Sequence, residues 1–204
     1  MRTYVDRVRR DLRRFRREQL GATRDAAERL AQRVAAGGRL LVYDQRAAYS
    51  AEATGRAGGL MAIAPLRAGA ETDLAPVDAL ILVSDLAAAD GDLKVARGAR
   101  GRGALVVGIC PVRAAPNSLA AACDIALDDY VTDEDAAVTI EGLSGPIAPT
   151  SGAVNAAILW ALTAAYIEAM VRRGKPPHVW MSIKRPGAHA FNDAALQATK
   201  EAGY

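Results

Sequence analysis

The sequence has few of the residue types that build metal centres and disulfide scaffolds. Its 204 residues include only two cysteines and two histidines, and aromatic residues make up 5% of the chain. Cys110 and Cys123 lack the close spacing of a metal-binding pair, and they lie in apolar or alanine-rich segments. We therefore expect two free thiols in a cytoplasmic protein, with no structural metal and no cofactor.

Signals for export and for a membrane are also weak. The residues after Met1 contain no long apolar segment, so we expect no signal peptide. Residues 153–171 are long and apolar enough to imitate a membrane span, but Asn155, Thr163 and Glu168 interrupt them. A buried helix of a soluble protein explains this segment better, and we expect no membrane contact.

The formal net charge is only +3, but the charge is unevenly distributed. Residues 1–33 contain eleven arginines and five acidic residues. One explanation is a surface for nucleic acid or another anionic partner. The other is a solvated face, or one side of an oligomer, on which arginine stems cover apolar surface. Because acidic residues interrupt the run and no aromatic side chains alternate with it, we favour the second explanation and do not expect nucleic acid as a partner.

The N-terminal pattern is helical. Apolar residues at helical spacing predict an amphipathic helix over residues 1–20, which Gly21 ends. A second helix is expected to begin at Thr23, as its N-cap, and to end at a pair of glycines. We expect these helices to form an arm of residues 1–36 on an α/β domain of residues 37–204, as one structural unit.

Downstream of the arm, apolar runs alternate with helical patterns. Strands are predicted for the segment that ends at Val42 and for residues 61–66, 77–83, 104–110, 125–127, 136–140 and 178–182. This alternation predicts an α/β fold with a parallel sheet and helices on both faces. Because ligands bind beyond the carboxyl ends of such strands, Asp44, Gln45 and Arg46 are expected at the binding crevice.

Two acidic segments follow the fifth predicted strand, Asp128-Asp129 and Asp133-Glu134-Asp135. A calcium loop needs regularly spaced ligands around a central glycine, and neither segment has that pattern. We therefore expect both segments to be solvated turns.

A set of short motifs occurs in a fixed order along the chain. They are Arg56-Ala57-Gly58-Gly59-Leu60 with Glu52 before it, Asp78–Ser84, Gly103–Gly108, Glu141-Gly142-Leu143, Pro149-Thr150-Ser151, Pro176–Ser182 and Asn192. In this order and spacing they resemble the sugar isomerase (SIS) phosphosugar-binding domain, most closely its stand-alone bacterial subfamily. The resemblance covers nearly the whole chain. It implies a three-layer α/β/α sandwich with a five-stranded parallel sheet of flavodoxin-like type, and a phosphorylated sugar or related carbohydrate derivative as the ligand.

The two loops that bind phosphate in that family are different in this sequence. The first loop is normally Gly-x-Gly-x-Ser, and here it is Val42-Tyr43-Asp44-Gln45-Arg46. The second is normally Ser-x-Ser-Gly, and here it is Ser84-Asp85-Leu86-Ala87. These differences remove close backbone approach and two hydroxyl donors, and they add negative charge where an anion binds in the family.

Arg46 has two explanations that the sequence leaves open. Its guanidinium can bind a phosphate through two parallel hydrogen bonds and so replace the lost hydroxyl. Alternatively, it forms an internal ion pair with Asp44 or Asp85 that fills the pocket.

Catalysis by the family would require an acid and a base. Glu52 matches the glutamate of the family and is the candidate general base for an aldose–ketose isomerase; alternatively, it pairs with Arg56 one helical turn later. His189 is a candidate acid or base near neutral pH; alternatively, it is a solvent-exposed loop residue.

Hydroxyl groups are the best retained ligand contacts. Ser84, Thr150 and Ser151 are candidate substrate-binding residues, although each also suits a strand end or a helix cap. Thr150 or Ser151 is predicted to be the N-cap of the long apolar helix, which would leave backbone N–H groups free for an anion.

Two functions remain open on the sequence alone. The first is binding of a phosphorylated sugar or related carbohydrate derivative, with isomerase activity implied by the resemblance. The second is a non-catalytic regulatory or scaffolding role with a degenerate pocket. In either case we expect a homodimer or larger homo-oligomer, since the arm and residues 153–171 are apolar enough to need a partner surface.

Overall fold

A computed structural model describes residues 2–132 and 134–204 of the chain. Within those residues seven α-helices surround one sheet of five strands. The helices are α1 (Arg2–Glu18), α2 (Leu20–Ala35), α3 (Ala48–Gly55), α4 (Asp90–Gly101), α5 (Leu119–Ala122), α6 (Ser151–Arg172) and α7 (Ala188–Ala202). The strands are β1 (Leu40–Tyr43), β2 (Ala64–Pro65), β3 (Ala79–Val83), β4 (Leu105–Cys110) and β5 (Ile125–Asp128). Met1 of the predicted first helix and Asp133 of the second acidic segment lie outside the described residues.

The strand order is β2-β1-β3-β4-β5, and every neighbouring pair is parallel. The predicted five-stranded parallel sheet of an α/β fold is confirmed. Along the chain, the strands extend the sheet in one direction from β1 to β2 and in the other from β1 to β3. A crevice for ligands forms at the carboxyl ends of strands at such a reversal point.

Alternating side chains of the strands separate two cores. On one face of the sheet Leu40, Val42 and Ile81 pack with α2 and α6, and on the other face Leu41 and Leu80 pack with α4 and α5. Every residue of β1, β3 and β4 is buried, as expected for parallel strands that helices cover on both sides. The molecule is therefore a three-layer sandwich.

The long helix α6 is the central helix of the first core. Ten of its 22 residues are buried, and it runs beside α2. Phe15 of α1 is buried in the same core. Among the described residues α6 alone is long and apolar enough to cross a membrane, and half of its apolar window is buried inside the protein. Its apolar character is explained by the core, as the sequence predicted.

The boundary between the first two helices was wrongly predicted at Gly21. The break lies at Gln19 instead, and α2 includes both Gly21 and Thr23. Thr23 does not cap the helix; its hydroxyl donates to the backbone oxygen of Gln19 at 2.8 Å. Gly21 lies in the exposed first turn, and the buried face of α2, which includes Leu30, outweighs the low helix propensity of a single glycine.

The predicted strands over residues 136–140 and 178–182 are also wrong. Each segment makes one isolated antiparallel bridge, between Val138 and Ile147 and between Val179 and Leu60. Prolines explain the short pairing, because a proline has no N–H group for a ladder hydrogen bond. Pro146 and Pro149 flank the first bridge, and two prolines precede the second.

Gly38, between α2 and β1, is packed against the backbone. A Cβ atom added there would lie 2.0 Å from the backbone oxygen of Val77, and a change of rotamer cannot relieve that contact. We expect Gly38→Ala to lower the free energy of unfolding by about 1–3 kcal/mol in urea denaturation. Gly21→Ala is the control: it has no atom within 4 Å of the added Cβ and should be neutral or slightly stabilising. Equal midpoints for wild type and Gly38→Ala would contradict this packing.

Candidate functional site

A cavity of about 420 Å³ opens at the carboxyl ends of β1 and β3. The N-terminal ends of α3 and α6 close its sides, and Tyr4 of α1 lies at its edge. Its acidic lining residues are Asp44, Glu52, Asp85, Asp92 and Asp135. Arg46 is the one basic side chain among the described residues that line it. The cavity lies at the turn after β1, where the sequence analysis expected the binding crevice, and five carboxyl groups line it.

Asp44 caps helix α3. One carboxylate oxygen accepts hydrogen bonds from the backbone N–H and the hydroxyl of Ser50, at 2.7 and 2.5 Å, and the other accepts from the backbone N–H of Ala48 at 2.7 Å. Ala47, just before the helix, has the left-handed φ of 57° that this turn requires. The carboxylate also complements the positive end of the helix dipole. The N–H groups of Ala48 and Ser50 in the first turn of α3 are therefore already used by the chain itself.

Asp135 accepts hydrogen bonds from the N–H groups at the start of helix α6. Its carboxylate accepts hydrogen bonds from the backbone N–H groups of Thr150 and Ser151, at 2.8 and 3.0 Å, and from the Ser151 hydroxyl at 2.5 Å. Thr150 is the N-cap residue, as predicted, but its side chain makes no capping hydrogen bond, and the N–H groups of Thr150 and Ser151 are not free because Asp135 accepts both. Asp135 is itself half-buried, which corrects the solvated turn predicted there. A carboxylate is a stronger acceptor than a hydroxyl, and it reaches the helix from 15 residues upstream.

Ser84 and Asp92 form the floor of the cavity. The Ser84 hydroxyl donates to one carboxylate oxygen of Asp92 at 2.5 Å and accepts the backbone N–H of Leu86 at 3.2 Å. Asp92, in the first turn of α4, is only 2% exposed, and its other carboxylate oxygen has no hydrogen-bond partner among the described residues. Burial raises the pKa of Asp92, and the hydrogen bond from Ser84 opposes that shift. Sequence reasoning missed Asp92.

The Asp85 carboxylate accepts hydrogen bonds from a tyrosine hydroxyl and from an asparagine side chain. Tyr49 donates its hydroxyl to Asp85 at 2.6 Å, and Asn155 of α6 donates at 3.2 Å. Burial and the hydrogen bond to Asp85 raise the pKa of Tyr49. Arg46 approaches the other oxygen of Asp85 only to 3.8 Å, and its side chain is 80% exposed. A loose, exposed pair of this kind contributes little, so the guanidinium remains available to a ligand at the mouth of the cavity.

The two candidate catalytic residues, Glu52 and His189, do not line the same cavity. Glu52 lines the cavity, but one of its oxygens is 2.6 Å from the Arg56 guanidinium and the other accepts from the Trp160 indole at 2.9 Å. His189 is exposed in the first turn of α7 and does not line the cavity.

The structure therefore gathers most of the predicted site residues at one place. Those that line the cavity are Asp44, Gln45, Arg46, Glu52, Ser84, Asp85 and Ser151. Thr150 is buried behind them, at the start of α6, and only His189 is remote. No group of three or more His, Cys, Asp or Glu side chains in the described part of the chain is arranged to hold a metal ion.

Asp129 lies at the end of β5 and is fully buried, which corrects the prediction of a solvated turn there. One carboxylate oxygen accepts the backbone N–H of Val131 at 2.9 Å, and the other has no partner among the described residues. Burial raises the pKa of Asp129 to about 7. The amide oxygen of Asn155 is also buried and without a described partner.

The raised pKa of Asp129 predicts a dependence of stability on pH. The folded protein retains this proton up to about pH 7, whereas the unfolded chain loses it near pH 4. The folded state therefore binds more protons between those values, and its stability falls as the pH rises, by on the order of 1 kcal/mol per pH unit. We expect Asp129→Asn, which retains the oxygen that Val131 needs, to differ least from wild type at pH 4 and to be more stable at pH 8. Parallel pH curves from urea unfolding would contradict this.

Solved structures show that the chain shares its fold with sugar isomerase (SIS) domains. Phosphoheptose isomerase GmhA from Neisseria gonorrhoeae superimposes with a TM-score of 0.56 over 79% of this chain and 94% of its own, at 15% identity. NanR from Vibrio vulnificus, solved with ManNAc-6P, gives 0.55 over 97% of this chain and 66% of its own, at 13% identity. The sugar isomerase domain of the RpiR transcription factor from Sphaerobacter thermophilus gives 0.53 over 97% and 96%, at 16% identity. At these identities the likeness shows the fold.

Sequence relatives give the family. Residues 12–136 match the family model described as a domain of unknown function, DUF2529. A UPF0309 protein from Streptomyces griseus is 31% identical over 91% of this chain and 89% of its own length. A UPF0309 protein from Streptomyces coelicolor is 30% identical over 70% of this chain, and the match spans 57% of that relative. The chain belongs to this UPF0309/DUF2529 family and has the SIS fold.

Proposed function

We propose that the protein binds a phosphorylated sugar or a related carbohydrate derivative in the cavity between β1, β3 and α6. The observation that carries the proposal is the polar cavity at the reversal point of the sheet, with Arg46 as its one described basic side chain. Its volume of about 420 Å³ is within the range of small-molecule sites. Neighbours of the same fold include an isomerase of a phosphoheptose and a protein solved with ManNAc-6P.

The lining suits a ligand with several hydroxyl groups. Carboxylates accept hydrogen bonds from hydroxyls, and Asp85 and Asp92 present such acceptors on one side of the cavity. Arg46 offers the donors that a phosphate needs, and its exposed side chain can approach a ligand from the mouth. This division into acceptors inside and one cation outside supports a carbohydrate derivative better than a free inorganic anion.

The same geometry favours binding without isomerisation. A general base must direct its carboxylate at the proton that it removes. Both oxygens of Glu52 are engaged, by Arg56 and by Trp160. With His189 remote, the described chain brings no second acid or base group of the predicted pair to the cavity.

A non-catalytic regulatory or scaffolding role is the second candidate. It is favoured by Asp44 and Asp135, which fill the positions where helix N-termini would otherwise receive an anion. Under this second candidate function, the protein is a cytoplasmic homodimer. The arm (1–36) and the α/β domain (37–204) form one structural unit in each protomer. Val5 of α1 and Val171 of α6 are more than half exposed, which supports a partner surface.

Binding can be tested by thermal denaturation with a panel of sugar phosphates. At a ligand concentration of about a hundred times its dissociation constant, the stability should rise by roughly 2.7 kcal/mol and the melting temperature with it. Arg46→Ala should abolish the rise without changing the melting temperature of the free protein. Arg185→Ala, an exposed arginine outside the cavity, is the matched control and should behave as wild type. No rise with any sugar phosphate, or an undiminished rise in Arg46→Ala, would refute the proposed site.

Isomerisation can be tested by proton exchange in D₂O. A sugar phosphate that binds should retain the hydrogen on the carbon next to its carbonyl, because Glu52 has no free oxygen to remove it. Proton NMR of the sugar reports the exchange directly. Exchange catalysed by wild type and lost in Glu52→Gln would show that the ion pair with Arg56 opens and that the protein is an isomerase.

A further inference from the structure

We propose that the interior of the cavity excludes anions and receives the uncharged or cationic end of the ligand, its hydroxyl or amine groups, so that a phosphate group stays at the mouth beside Arg46. The nature of the ligand rests on the proposed function. The exclusion of anions does not, because it follows from the charges and hydrogen bonds of the chain alone.

The first step concerns the hydrogen-bond donors. The backbone N–H groups of Ala48 and Ser50, at the start of α3, point to the carboxylate of Asp44, which is 8% exposed. Asp135 takes the N–H groups of Thr150 and Ser151 at the start of α6. An anion that approached either helix start would therefore meet a carboxylate that is already bound there. Each of these carboxylates is covalently attached to the chain and therefore holds its position without the entropy cost that a free anion pays.

The second step concerns charge. Five carboxyl groups line the cavity, against the single described guanidinium of Arg46. The potential inside is therefore negative, and it opposes the entry of a phosphate dianion. Arg46 does not reverse this, since its side chain is 80% exposed and extends toward solvent.

The third step identifies what the interior can accept. The free carboxylate oxygen of Asp92 has no donor among the described residues, although the side chain is 2% exposed and lines the cavity. A buried acceptor without a donor is costly, and a ligand hydroxyl or ammonium group would satisfy it. The phosphate group of a sugar phosphate, as a monoester dianion, has only acceptor oxygens and would add to the deficit of donors.

The test compares the binding of inorganic phosphate to wild type and to variants of Asp44, by calorimetry at low salt. Asp44→Gly and Asp44→Asn remove the resident charge at the start of α3 and should bind phosphate at least tenfold more tightly than wild type. This gain should persist when Arg46→Ala is added. Asp90→Gly removes an equal charge from an exposed residue at the start of α4, outside the cavity, and should bind phosphate as wild type does.

Two results would overturn the proposal. One is a folded Asp44 variant, judged by its melting curve, that gains no affinity for phosphate. The other is measurable binding of phosphate in the cavity by the Arg46→Ala protein with Asp44 intact, because the proposal leaves Arg46 as the contact that holds a phosphate at the mouth. This second measurement needs no Asp44 variant and decides the question even if both are unfolded.

The proposed hydrogen bond from a ligand hydroxyl or ammonium group to Asp92 can be tested separately. For a sugar phosphate that binds wild type, Asp92→Asn should raise the dissociation constant at least tenfold, and Asp90→Asn should leave it unchanged. An unchanged dissociation constant in Asp92→Asn would refute this part. If no sugar phosphate binds wild type, the proposed function fails, whereas the phosphate comparison still decides whether Asp44 excludes anions.

Discussion

Two helices begin at the same cavity, and their first backbone N–H groups must have acceptors. Asp44 supplies them for α3 and Asp135 supplies them for α6. These hydrogen bonds fix the turn after β1, where Ala47 adopts a left-handed conformation, and they attach the segment before α6 to the helix that it precedes. The side chains that accept hydrogen bonds from the helix N–H groups also line the cavity. Because these side chains are carboxylates, they give the cavity its negative charge.

This arrangement explains how a protein with the SIS fold can have a cavity whose chemistry differs from that of a phosphate-binding site. The direction in which the chain adds strands to the sheet reverses between β1 and β3, and the cavity lies at the carboxyl ends of these strands, where α/β sheets bind ligands. Asp44 occupies the N–H groups of Ala48 and Ser50 in α3, and Asp135 occupies those of Thr150 and Ser151 at the start of α6. Arg46 is the one described cationic side chain that lines the cavity, and it lies outside the helix ends. The buried oxygen of Asp92 adds a further acceptor without a described donor.

Much of the fold could be predicted from local patterns. Alternating strands and helices indicated the parallel sheet, and the apolar run that became α6 was correctly assigned to the core. The order of the motifs pointed to the SIS fold. Predictions were wrong where tertiary contacts outweigh local ones: Gly21 is tolerated inside α2 because the helix packs, and two predicted strands are single bridges because prolines interrupt their pairing.

The site was less predictable, for reasons of distance along the chain. Asp44 lies four residues before the helix that it caps, so its role was within reach of sequence reasoning. Asp135 lies 15 residues before Thr150, the N-cap of α6, and no local pattern links the two. Asp129 was expected in solvent because its neighbours are acidic, whereas the packing around β5 buries it completely.

The most direct measurement is a crystal structure with a sugar phosphate that raises the melting temperature. The account predicts phosphate oxygens within hydrogen-bond distance of the Arg46 guanidinium, with Asp44 still bound to the N–H groups of Ala48 and Ser50. Phosphate oxygens on those N–H groups, with Asp44 displaced, would contradict it.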